Sequence, residues 1–177
     1  MDNNDLGKIN RDILLDKSDS DLNSIRESLL QIIDNSIIML SDRLIFALGI
    51  ETKDSVSTFL KGFSDEIKGI LAARLNTLKG KILEVDYDTY ITEIEESRVS
   101  LLSSIESIYI NGSNALFNNL NGVSKERIES LRESIWGSFK DKITGDITNY
   151  DRILVNYFVE NLERYKKMEE STRRLSA

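Results

Sequence analysis

The sequence predicts an all-α protein, an elongated antiparallel bundle of three to four long helices with coiled-coil-like packing. Three observations lead there. No proline interrupts any segment, apolar residues recur at three and four positions rather than at two, and the breaks in that rhythm are few and marked by glycine or asparagine. At 177 residues the chain is one ordinary domain, long enough to bury roughly 70% of its unfolded surface.

Residues 1–20 form an acidic lead-in, in which a short helix from Leu6 to Leu15 through Ile9, Ile13 and Leu14 needs docking to persist. Residues 21–177 make up a single bundle domain. Its first long helix runs from Asp21 to Leu48, because Leu22, Ile25, Leu29, Ile32, Ile33, Ile37, Leu40, Leu44 and Leu48 keep the spacing throughout, and Gly49 ends it. Leu30, Ile38, Met39, Ile45 and Phe46 widen the apolar arc, so this helix is expected at the centre of the bundle.

A second helix starts at Thr52 or Asp54 and carries Val56, Phe59, Leu60, Phe63, Ile67, Ile70, Leu71, Leu75 and Leu78. Gly62 and Gly69 within it suggest a close helix approach. The spacing allows an end at Gly80 or continuation through Ile82 and Leu83 to the acidic turn at Asp86 and Asp88. A third helix fits from Tyr87 to Ile110, followed by an Asn/Gly-rich connector at 111–123 that holds five Asn and two Gly, residues suited to turns. Ser124 then reads as an N-cap, with Val123 and Ile128 placed as a hydrophobic staple. The last helix keeps its stripe from Ile128 to Tyr165, either continuous or broken near Gly145, and pairs such as Glu160 with Arg164 support it toward the C-terminus.

Composition removes much chemistry. Without His or Cys the sequence cannot supply zinc fingers, thiol nucleophiles, disulfides or a Ser-His-Asp triad. A net charge of −7 argues against general binding to duplex nucleic acid. The longest apolar run, Leu44–Ile50, is far short of the ~20 residues that span a bilayer, and the first residues lack the order of a secretory signal, so a cytoplasmic location is expected, or a virion-associated one for a viral chain.

Seven acids between Glu84 and Glu106 would have to form an all-oxygen cation site, but Glu93, Glu95 and Glu96 are spaced for solvent. Asp16–Glu27 resembles a calcium loop in outline and lacks its central Gly. No phosphate-binding glycine loop occurs, and Asn111-Gly112-Ser113 reads as a turn rather than a glycosylation site. No metal, cofactor or catalytic residue is therefore expected.

What remains is surface. Trp136, Tyr150, Leu154, Tyr157, Phe158 and Tyr165 lie on or near one stripe of the last helix, and Tyr and Trp suit half-buried partner interfaces, so these six are the candidate partner interface. Arg164, Lys167, Arg173 and Arg174 are the candidate contacts for an anionic partner. A second basic group, Lys61, Lys68, Arg74, Lys79 and Lys81, has the acidic third helix as its expected neighbour.

The expected function is that of a non-enzymatic assembly or adaptor protein. It would act through helix–helix contacts with a protein partner or with itself, as an oligomer or as a component of a larger complex such as a virion or cytosolic machine. The alternative is a helical binder of nucleic acid or an anionic membrane surface through the basic patches. A Mg-, Mn- or Ca-dependent enzyme comes last.

Overall fold

The computed structural model describes residues 3–82 and 84–175, and among them it contains helices and turns but no strand. Four long helices follow one another: α1 (Asn3–Leu48), α2 (Lys53–Gly80), α3 (Tyr87–Asn118) and α4 (Lys125–Leu175), with one 3₁₀ turn at Ile50–Thr52. Helix α1 packs on α2 and α4, and α3 packs on the same two, so the helices form an antiparallel ring around one core. Leu83 and the side chain of Leu6, both placed on apolar stripes by the sequence, lie outside the described residues.

Several boundaries differ from the sequence reading. The lead-in is not separate: α1 is a single helix of 46 residues. Its apolar stripe continues backwards from Leu29 through Leu22 to Leu14, all buried, and that docking carries the helix through the polar stretch before Asp21. The serines that favour turns elsewhere return their hydroxyls to the preceding turn, Ser24 to Ser20 O at 3.4 Å and Ser28 to Ser24 O at 3.1 Å.

The connector is also shorter than expected. Helix α3 runs eight residues past Ile110, because Ser113, Leu116 and Phe117 are buried and their packing outweighs the weak helix preference of the asparagines. Only residues 119–124 remain as the turn, with Gly122 at φ +76°. Ser124 caps α4 by accepting from the Arg127 N–H at 3.3 Å.

At the other breaks, Gly49 leaves α1 at φ +106°, α2 stops at Gly80 with Ile82 buried in the following turn, and α4 passes through Gly145 without interruption. Asp86 caps α3 by accepting from the Thr89 N–H at 2.8 Å, and that backbone bond holds its carboxyl below the usual carboxylate range. The close approach expected at Gly62 and Gly69 occurs instead at Gly112, where an added Cβ would lie 2.5 Å from the Phe59 ring.

The core is layered. Near the α1–α2 end, Phe59, Phe63, Tyr109, Trp136 and Phe139 form one aromatic cluster, with Tyr109 and Trp136 stacked at 4.8 Å. Near the α2–α3 turn, Tyr90 stacks on Phe158 at 4.1 Å.

Helix length then decides the shape. At ~1.5 Å per residue α2 spans about 42 Å and α4 about 77 Å. Since Tyr90, in the first turn of α3, lies level with Phe158, α4 runs on for some fourteen residues, about 20 Å, past the α2–α3 turn. Antiparallel α1 accompanies it there, so the bundle narrows from four helices to two.

Glycines with open space around them should tolerate a methyl group. We expect Gly69→Ala to raise stability by roughly 0.5–1 kcal/mol, since a Cβ added there meets nothing within 4 Å, while Gly112→Ala forfeits that gain by displacing Phe59. Urea unfolding of the two variants checks the difference in sign or size.

Candidate protein-interaction surface

Among the described residues the bundle interior contains one buried ionic cluster. Asp151 of α4, 2% exposed, accepts from both terminal nitrogens of Arg74 on α2, at 2.6 and 3.0 Å, and from Arg98 on α3 at 3.0 Å. Arg74 also donates through Nε to Ser97 Oγ at 2.9 Å and through Nη2 to the Ile94 carbonyl at 3.0 Å. One carboxylate thus ties three helices. Its position was signalled by the stripes: Arg74 falls in the series 67, 71, 74, 78 and Asp151 in 147, 151, 154, 158, where every other member is apolar. Of the second basic group, Lys81, just past the end of α2, reaches Glu93 of α3 at 3.1 Å, as expected, but Lys68 on α2 turns to Asp34 of α1 at 2.7 Å.

Around this cluster sit phenols without partners. The hydroxyls of Tyr90 and Tyr150, and of Tyr109 in the aromatic layer, are buried with no hydrogen bond. Burial pushes all three well above the ordinary tyrosine value near 10.

The proposed interface on α4 is not a surface. Trp136, Tyr150, Leu154, Tyr157 and Phe158 are all buried in the chain's own core, because α4 is one wall of a closed ring and its stripe faces the other three helices. Trp136 spends its indole N–H on Glu106 of α3 at 2.9 Å. Tyr165, in the two-helix overhang, is half-buried. Arg164 lies 3.9 Å from Glu160 on the same helix, and Lys167, Arg173 and Arg174 are exposed near the end of α4. Among the described residues no three acidic side chains converge as a cation site.

The uncovered apolar surface lies instead on α1, and the expectation that this helix is central is overturned. A ring of four helices has no centre helix, so an apolar arc wider than one core face must leave part of itself outside. Ile32, Met39 and Phe46 follow one another at seven-residue intervals and are 41%, 45% and 94% exposed. Ile25, one interval earlier, is half-buried, and Ile153 of α4 lies beside the row.

This face is also poor in charge. From Ser28 to Ser41 the sequence holds one charged residue, Asp34, and that is paired with Lys68 on the other side. The exposed positions Ser28, Gln31, Ile32, Asn35, Ile38 and Met39 are all neutral. Where α4 borders the face, Lys142 is paired with Asp146 at 3.2 Å and Arg43 donates to Ser138.

Two grooves open between α1 and α4 here. One, about 180 Å³, has Ile25, Leu29, Ile32 and Ile153 as apolar walls, with Tyr150 and Asp146 at its edge. The other, about 390 Å³, lies beside Met39, Leu40 and Phe139, with Arg43, Asp141 and Lys142 also in its lining. Charge depletion with apolar anchors and a polar border is the composition of an interface core.

Comparison with family models, curated proteins and solved structures finds no match to this chain. None of the described helices is long and apolar enough to cross a membrane.

Two outcomes follow from the interior. Asp151→Ala should cost about 3–5 kcal/mol by stranding Arg74 without its counter-ion, whereas the double replacement Arg74→Met with Asp151→Leu should recover most of the loss; urea denaturation measures both. For the phenols the sign is fixed by linkage: with the folded pKa above the unfolded one, stability is complete below pH ~10 and falls as pH rises beyond it. Tyr90→Phe should therefore leave stability near pH 7 within about 1 kcal/mol and flatten the decline above pH ~10, read by unfolding curves at neutral and alkaline pH.

Proposed function

We propose that this chain is a non-enzymatic assembly or adaptor protein that binds a protein partner along the outer α1–α4 face. The observation that carries this reading is the heptad row Ile32, Met39 and Phe46, exposed on a face where the stretch from Ser28 to Ser41 holds a single charge, the paired Asp34. In a chain with 30% charged residues such a strip is unusual as a solvated surface, and apolar area of this kind is stabilised by being covered.

The sequence supports the same reading from the other direction. Lacking His and Cys, the chain does without the most versatile catalytic side chains, and its helices offer extended surface rather than a deep cleft. An amphipathic helix laid into the α1–α4 grooves is the mode of recognition that such a face serves.

Site-specific photo-crosslinking tests the proposal in the native host. A photoreactive residue in place of Met39 should give protein adducts, and the same residue in place of Val99, 69% exposed on α3, should not. No adduct at position 39, or equal labelling at both positions, overturns it.

A further inference from the structure

We infer that the occupant of the α1–α4 face is a second copy of this chain, forming a two-fold dimer in which Phe46 of each copy enters the small groove of the other. This rests on the reading that the face binds protein, and it names the partner.

Knob and socket are both present on one strip. Phe46 is 94% exposed, and the groove beside Ile25, Leu29, Ile32 and Ile153 has a volume of about 180 Å³. An enclosed space of ~150 Å³ holds a benzene ring, and this open groove, lined also by Ser28, Asn149 and Asp146, has room for a phenyl group against its four apolar walls. From Leu29 to Phe46 is about 26 Å along α1. Two copies related by an axis midway between those points, close to Asn35 and Met39, place each Phe46 over the other's groove. The exchange is reciprocal, as a two-fold interface requires.

Charge sets the limit on this approach. A chain at −7 repels its own copies, and the strip between socket and knob is thin in acid rather than free of it: Asp34 is paired with Lys68, and Asp42 is exposed between Met39 and Phe46. At its ends each copy already engages its own charges, Arg43 with Ser138 and Asp146 with Lys142 at 3.2 Å, so the fit of knob and socket rather than a cross-copy ion pair holds the two together. Area is sufficient as well. A strip from Ile25 to Phe46 is about 32 Å long and, across two helices, about 20 Å wide, so two copies bury roughly 1,200 Å², the lower bound of a stable interface.

The absence of cysteine from the sequence makes the test direct. The purified full-length chain should show a dimeric mass by sedimentation equilibrium, and Met39→Cys, next to the axis, should form a disulfide- or short-linker-bridged dimer that Val99→Cys does not. Phe46→Asp, at a solvent-exposed position, should fold normally by circular dichroism and dimerise at least about 30-fold more weakly. A chain that stays monomeric over a wide concentration range overturns the dimer. If photo-crosslinking at Met39 then captures a different protein, the second copy is excluded and the protein-binding face stands; if it captures none, both fail. A dimer that survives Phe46→Asp and does not bridge through Met39→Cys overturns this face as its interface.

Discussion

A single carboxylate holds the middle of the bundle together. Helices packed only by leucine and isoleucine can slide by a turn at small cost, because one apolar ridge is much like the next. Asp151 removes that freedom: it faces Arg74 and Arg98 at one height only, and a shift of either α2 or α3 strands a charge away from water. The aromatic layer on one side and the Tyr90–Phe158 stack on the other then pack against a fixed register. The cluster's contribution is specificity of alignment more than net stability, since apolar replacements of the same volume could pack as tightly.

With register set inside, the remaining question is what lies outside, and α1 answers it. Its inner stripe, from Leu14 to Leu48, closes the core against α2 and α4. The same helix carries a second row a quarter-turn away, and the ring offers nothing to cover it. Helices α2 to α4 carry isolated exposed apolar residues, such as Val99 and Ile110, which any globular surface tolerates. Among the described residues, only those on α1 line up at constant interval beside grooves, on a stretch from Ser28 to Ser41 that holds a single charge.

The fold class was legible because three-four periodicity is a local property that packing rarely overrides, and Ser124 and Gly49 announced their helix ends by chemistry that needs no tertiary context. Other features depended on contacts distant in sequence. Asn111, Asn114 and Asn118 are turn-formers by themselves, but Ser113, Leu116 and Phe117 between them have a core to enter, and that burial keeps the segment helical. The row containing Trp136, Tyr150 and Tyr157 has the composition of an interface whether it faces a partner or the inside, and only the ring arrangement decides for the inside. The excess apolar width of α1 was visible in the sequence; that it would be left uncovered follows from the number of helices, which no single helix encodes.

The narrowing from four helices to two has a mechanical meaning. Asn3 and Leu175 sit at the same pole, at the tip of the slender overhang, while Phe46 and the 119–124 turn sit at the opposite pole. Tension applied between those two termini loads the overhang in unzipping geometry, so that turns of α1 and α4 part in sequence and the thick, aspartate-clamped section bears load last. The molecule is thus graded along its axis, compliant at one pole and stiff at the other.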